Sequence, residues 1–399
     1  MNLGMTPYSN PLYILVLFAL TMPVVVSILF FNKRMQWYQL ILALVFLYIT
    51  FSGPNARQGL ALIGYVIFET LLVGIYFYYR QKHNNFWVFS TFVLVSIIPL
   101  IFDKVVPAIK QEESIFSFLG LSYLTFRTVQ MIMEMRDGVI KEYHPWRFIQ
   151  FLVFFPTISS GPIDRYRRFE GDLLHLPERD KYLNLVGKGV NNLIIGCLYK
   201  FILAYLFGSV AMPYAEQGMM EYSGAIRVWC LIGYMYIYTF YLFFDFAGYS
   251  RFAVGVSYLL GYDVPINFNK PFISWNIKEF WNRWHMSLSF WFRDFIYMRL
   301  MYTLLKKKVF KSRIVASNVG YFALFLIMGC WHGLTWYYIA YGAYMALAIC
   351  VNDAWLRFKR KHRQQIPQNK WTHALAVVIT FNVFAVGLLI FSGILNKFI

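Results

Sequence analysis

Two histidines lie in strongly apolar stretches, and a tryptophan precedes each of them. His285 lies in "EFWNRWHMSLSFWFRDF" (279–295) and His332 in "GCWHGLTW" (329–336). A neutral imidazole in a dry cleft is suited to general base catalysis, because its ordinary pKa is about 6.5 and burial favours the uncharged form. The remaining histidines lie near loops or basic clusters, where we expect them to be solvated: His83, His144, His175, His362 and His373.

Helical spacing over 279–295 predicts one amphipathic helix with a wide aromatic face that carries His285. Asn282 and Ser289 fall one turn away on either side, where they are candidates for fixing the tautomer of the imidazole. Glu279 and Arg283 are spaced to form an ion pair. Two plainer interpretations remain open: a buried histidine bonded to a carbonyl, and tryptophans gathered at a membrane interface.

Other kinds of catalytic site have little support in the sequence. No Gly-x-Ser-x-Gly elbow, Walker loop or dinucleotide fingerprint occurs. Two histidines without a clear third ligand make a weak metal site. The cysteines lie scattered in apolar segments without zinc or disulfide spacing, so we expect small buried hydrophobes: Cys197, Cys230, Cys330 and Cys350.

The composition requires a bilayer around these residues. Hydrophobic residues make up 59% of the 399-residue chain and charged residues 14%, against about 25% charged in soluble domains. We therefore predict an all-α polytopic membrane protein with roughly 11 transmembrane helices and short amphipathic or re-entrant ones, in one domain over 1–399. The first apolar run is expected to remain as a span. Apolar runs of spanning length include Tyr13–Phe31, Trp37–Ser52, Gly59–Tyr79, Phe86–Phe102 and Ala374–Ile394.

The chain changes character after its first 110 residues. Residues 1–110 are predicted to form scaffold hairpins and residues 115–399 the catalytic core. Ionisable groups enter the apolar runs of the second part, and such groups usually face a cavity, water or one another. For Asp245 the candidate partners are Arg251 and Lys200. The polar loop 159–183 carries a cluster of arginines that either pair with Asp164 or Glu170, or bind phosphate or lipid headgroups: Arg165, Arg167 and Arg168.

The formal charge of +18 is concentrated in short basic clusters between apolar runs. In a soluble protein such a charge would suggest nucleic acid, but here the positive-inside rule explains it better and places these clusters in the cytoplasm. Binding of anionic lipid or of an acidic partner is a second interpretation. With Lys306–Arg313 and Lys359–Arg363 both cytoplasmic, the chain between them forms a hairpin that carries His332 near its outer end.

The motifs resemble those of the membrane-bound O-acyltransferases. In that family an Asn or His stands in a polar aromatic stretch like "WNRWHMSLSFWFRDF", and a second His stands in an apolar run like "WHG"; these positions match His285 and His332. "SSGPIDRYRRF" (159–169) and "FFDFAGYSRFAVG" (243–255) are similar to the bacterial branch, most of all to its D-alanyl transfer proteins for teichoic acids. The resemblance extends over essentially the whole chain.

The resemblance implies a ring of helices around a central funnel and tunnel in the plasma membrane of a Gram-positive bacterium. It implies that D-alanine arrives as the phosphopantetheine thioester of an acidic carrier protein in the cytoplasm. The D-alanine would be esterified to lipoteichoic acid hydroxyls, with help from a DltD-type membrane-anchored partner. No bound cofactor, metal or nucleic acid is implied, and membrane lipids surround the chain.

Roles for individual residues follow from this resemblance. His332 is the expected base, and His285 would orient the carbonyl, polarise it or share the proton, with Asn282 and Ser289 in support. A docking surface for the carrier is expected from one apolar and one basic set: Met298, Met301, Tyr302, Leu305, Lys306, Lys307 and Lys308. Two alternatives remain: an alginate-type polysaccharide O-acetyltransferase, and a transporter or flippase without covalent chemistry.

Overall fold

The computed structural model describes residues 8–52, 55–110, 112, 114–159 and 161–398, and this part of the chain is helical without any β-strand. Within these described ranges, eight segments are long and apolar enough to cross a membrane, so an all-α polytopic protein is confirmed. The predicted count of 11 spans is not confirmed. The eight segments are Pro11–Phe31 (α1), Ala56–Lys82 (α3), Phe86–Lys110 (α4), Arg179–Glu221, Gly224–Leu259 (α10), Arg313–His332 (α14), Trp336–Lys361 (α15) and Lys370–Phe391 (α16).

One compact unit comprises Met1–Leu198 and Gly248–Ile266. It holds α1, α3, α4 and the end of α10, and a buried arginine holds part of it together. Arg127 donates hydrogen bonds to the carbonyl oxygens of Phe151 (2.7 Å) and Leu152 (2.9 Å). The further helices of this unit are Gln36–Phe51 (α2), Leu121–Arg136 (α5), Pro145–Leu152 (α6), Tyr166–Leu174 (α7) and Arg179–Cys197 (α8).

The other compact unit comprises Tyr199–Ala247 and Asn267–Ile399, and it contains both candidate histidines. Besides α14, α15, α16 and most of α10, it holds several short helices. The predicted single domain, with its division near residue 110, stays a prediction. The short helices of this unit are Met212–Glu221 (α9), Ile277–Trp281 (α11), Met286–Phe292 (α12) and Met298–Lys306 (α13), with wider π-helical turns at Leu198–Leu203, Leu206–Ala211 and Arg293–Tyr297.

Helices α14 and α15 form the predicted hairpin, joined by a short turn after His332. Their glycines let the two backbones touch. A Cβ atom on Gly329 would lie 2.6 Å from the carbonyl oxygen of Tyr338, and one on Gly342 would lie 2.5 Å from that of Phe325. His332 is the last residue of α14 and so lies at the tip of this hairpin. The side of the membrane that the tip faces stays a prediction.

The predicted continuous helix over 279–295 is wrong, because the chain breaks at His285. Helix α11 ends at Trp281 and α12 begins at Met286, while His285 adopts a left-handed conformation with φ 42° and ψ 52°. The preceding loop causes the break. Asn269 N donates to the carbonyl oxygen of Arg283 (3.0 Å), and Met286 N donates to that of Asn267 (2.8 Å). These loop contacts replace the hydrogen bonds that a continuous helix would make.

Candidate active site

His285 is buried in an apolar environment with one ring nitrogen available. The residue is 7% exposed, and its ring packs edge-on against Phe246 of α10, with 4.6 Å between ring centroids. Its Nε2 atom is buried and has no hydrogen-bond partner among the residues that the structure describes. Burial, and to a lesser extent positive charge on His332, lowers the pKa of His285 to about 3. The imidazole is therefore neutral at physiological pH.

The backbone around His285 is held by asparagines from the preceding loop. Ser287 Oγ donates to Oδ1 of Asn267 (2.6 Å), which is 1% exposed. Asn276 caps α11 by accepting a hydrogen bond from Glu279 N (2.9 Å). Sequence reasoning missed both asparagines. The preference of Asn for helix N-caps could have indicated Asn276, whereas no local pattern indicates the long-range contact of Asn267.

His332 is half-buried against aromatic rings at the tip of the hairpin. Its ring centroid lies 4.8 Å from that of Phe391 in α16 and 4.5 Å from that of Trp331. Gly333 follows it, and a Cβ atom there would lie 2.6 Å from the ring of Tyr338. Charge on His332 acts on His285 across the same compact unit. Two imidazoles from distant parts of the sequence therefore lie within electrostatic reach of each other.

Asn282 and Ser289 occupy the wall of a cavity. Ser289 Oγ donates to the carbonyl oxygen of Trp284 (3.1 Å), and Asn282 is exposed at the end of α11. Neither of them bonds to His285 Nε2, which has no partner. Their predicted role in fixing the tautomer therefore stays a prediction, and it would have to act at the other ring nitrogen. The predicted ion pair of Glu279 with Arg283 is confirmed at 2.8 Å.

The cavity has a volume of about 310 Å³, in the range of small-molecule sites. Its lining is mostly aromatic and apolar, with few polar groups. The cation of Lys278 is paired with Asp353, and that of Arg293 with Asp294 (2.8 Å). The resemblance implied a funnel and tunnel, but sequence reasoning did not predict which residues line this cavity, because it forms between helices far apart in the chain. The lining residues are Lys278, Trp281, Asn282, Ser289, Phe290, Arg293, Tyr297, Met298, Tyr321, Leu324, Phe325, Met328 and Ile349.

Helix α13 presents an exposed apolar stripe that begins at the cavity. Met298 lines the cavity and is 55% exposed, and the stripe continues through Tyr302 and Leu305 to Val309 just beyond the helix. These positions recur at helical spacing. Met301 is half-buried instead, with its sulfur close to Gly320 of α14. The basic residues Lys306, Lys307 and Lys308 are exposed at the end of α13.

In the arginine loop, Arg168 is paired with two carboxylates, those of Asp164 and Asp172. Arg167 lies 3.6 Å from a carboxylate oxygen of Glu134. Arg165 Nη1 donates to the side-chain amide oxygen Oε1 of Gln130 (3.4 Å). These contacts favour the structural interpretation of the loop.

Asp245 is paired with Lys200, one of its two candidate partners. The other candidate, Arg251, donates to Asn192 Oδ1 (2.8 Å). No group of three or more His, Cys, Asp or Glu residues that could hold a metal ion occurs within the described ranges.

Comparison with known proteins identifies the family. A family model described as the membrane-bound O-acyltransferase family matches residues 59–394. The chain is 48% identical to a teichoic acid D-alanyltransferase of Streptococcus thermophilus (98% of this chain, 95% of the relative) and 49% identical to one of Lacticaseibacillus rhamnosus (99% of each). It is 46% identical to one of Bacillus subtilis (98% of each). Since the match runs through both histidine segments and nearly the full length of these relatives, this multi-pass membrane protein belongs to the membrane-bound O-acyltransferase family.

Proposed function

We propose that this protein transfers D-alanine from the phosphopantetheine thioester of an acidic carrier protein to hydroxyl groups of teichoic acid. The observation that carries the proposal is the identity of 46% to 49% with three teichoic acid D-alanyltransferases over nearly their full length. A DltD-type partner and lipoteichoic acid as the acceptor belong to the same proposal. The two imidazoles support acyl transfer as the chemistry.

The reaction needs a base for the hydroxyl proton and a donor for the developing oxyanion. His332 takes the proton while the hydroxyl oxygen attacks the thioester carbonyl. The carbon–sulfur bond then breaks, and the proton passes to the departing thiolate. His285 is neutral and has a free Nε2, so in the Nε2–H tautomer it donates to the carbonyl oxygen. The thioester is already activated, so this step needs no ATP.

The cavity is the proposed route for the donor. Met298 belongs both to the cavity wall and to the exposed apolar stripe of α13. A carrier domain docked on that stripe would therefore stand at the opening, with its flexible arm directed inward. The exposed Lys306, Lys307 and Lys308 next to the stripe would attract an acidic carrier.

A transfer assay in proteoliposomes tests the proposal. Wild-type protein, with the carrier loaded with labelled D-alanine, should label a teichoic acid acceptor. His332→Ala should reduce the rate by about 10²- to 10⁴-fold, the usual contribution of a general base. His285→Ala should also reduce it, while both variants still bind the carrier. The exposed His83→Ala is the matched control and should keep wild-type transfer.

Two results would contradict the proposal. Full transfer by a variant without both histidines would remove their chemical role. Transfer of acetyl groups but not of D-alanine by the wild type would instead favour a polysaccharide O-acetyltransferase.

A further inference from the structure

The indole of Trp281 combines two properties that no assigned role explains. Its Nε1–H donor is buried without a hydrogen-bond partner in the described part of the chain, and its side chain lines the 310 Å³ cavity. Buried polar atoms in native proteins nearly always have a partner. Among the described residues, Trp281 is the cavity-lining residue that carries such an atom.

The position of Trp281 is fixed by packing. The residue is 8% exposed and ends α11, and its ring lies 5.2 Å from that of Phe325 in α14 and 6.0 Å from that of Phe280, measured between centroids. A donor held in this way cannot turn to another partner without moving the rings around it. Its direction is thus set by packing before any acceptor arrives.

We propose that Trp281 is a substrate-positioning residue whose indole N–H binds an amide carbonyl oxygen of the carrier's pantetheine arm. This inference rests on the proposed function. The arm is a slender chain with two amide groups, and each amide needs polar partners when it leaves water. The other cavity walls are largely apolar, and the Lys278 and Arg293 cations are already paired with carboxylates. The indole N–H supplies a donor that such an amide requires.

The test compares Trp281→Phe with the wild type on two small donors. One is D-alanyl-pantetheine, and the other is a D-alanine thioester of an alkanethiol of equal length without amides. The variant should raise KM for D-alanyl-pantetheine about five- to tenfold, as expected for the loss of one hydrogen bond, and change kcat less than twofold. KM for the amide-free donor should stay unchanged. Trp291→Phe, equally buried in α12 and outside the cavity lining, is the matched control.

Several results would overturn the assignment. An equal loss on both donors would mean that Trp281 acts by packing alone. A fall in kcat at constant KM would place its donor at the reacting carbonyl rather than on the arm. Unchanged kinetics would leave the N–H without this role. Failure of the proposed function looks different, because then the wild type transfers D-alanine no faster than His332→Ala.

Discussion

At the scale of single residues, the environment of His285 decides its protonation state. The left-handed backbone, which is uncommon for residues other than glycine, points the ring into an apolar pocket beside Phe246. A charged imidazole there would lose its hydration without gaining a counter-ion. The folded protein therefore favours the neutral form, and Nε2 has no hydrogen-bond partner among the described residues.

This protonation state predicts a loss of stability in acid. The pKa of His285 is about 3 in the folded protein, against an ordinary value of about 6.5 in an unfolded chain. Between these values the unfolded chain binds more protons, so the free energy of unfolding falls as pH falls. The melting temperature of the detergent-solubilised protein should therefore fall less steeply in acid for His285→Gln than for the wild type. Parallel curves would contradict this, and His83→Gln at an exposed position is the control.

The sequence pointed to candidate residues more readily than it described their conformation. His285, His332 and the Lys200–Asp245 pair could be proposed because ionisable groups are costly in apolar segments. The left-handed turn at His285 could not, because it depends on hydrogen bonds to Asn267 and Asn269, which a helical pattern does not reveal. The sequence also could not predict that the indole N–H of Trp281 lacks a partner, because this depends on the surrounding fold.

At the scale of helices, the contact of α14 with α15 positions His332. Because a Cβ atom on Gly342 would lie 2.5 Å from the carbonyl oxygen of Phe325, Gly342→Ala must push the two backbones apart. We expect it to lower the free energy of unfolding by roughly 1–3 kcal/mol, as other overpacked variants do, and to reduce transfer. Thermal unfolding and the transfer assay measure the two effects. Gly233→Ala in α10 meets nothing within 4 Å and should retain wild-type stability and activity; equal behaviour of the two variants would refute the argument.

Predictability also differs between kinds of helix. Of the long apolar runs that were expected to span, four form α1, α3, α4 and α16, because their length and composition suffice. The run Trp37–Ser52 forms only the 16-residue helix α2, which is shorter than the eight candidate spans. Length and composition alone could not predict where each of the short helices around the site begins and ends. The π-helical turn at Arg293–Tyr297 supplies Arg293 and Tyr297 to the cavity wall, and its wider winding leaves no signature in the hydrophobic pattern.

At the scale of the whole molecule, the charge of +18 bears on the binding of acidic partners as well as on membrane topology. Exposed basic residues raise the association rate of an acidic partner at low ionic strength, and salt screens this effect. If the basic clusters served topology alone, replacing any one of them would change the association rate of the carrier by the same amount. If one cluster belongs to a docking surface, replacing that cluster should lower the association rate more than replacing another.

The cluster Lys306, Lys307 and Lys308 lies beside the apolar stripe of α13, whereas Lys359, Arg360 and Lys361 lie at the end of α15. Replacing the first set by Glu should lower the association rate of the carrier about tenfold at low salt and flatten its dependence on ionic strength. Replacing the second set should change it much less. Stopped-flow binding over a range of salt concentrations measures both. Equal losses from the two replacements would mean that the basic surface attracts the carrier as a whole, and then α13 would not be its docking site.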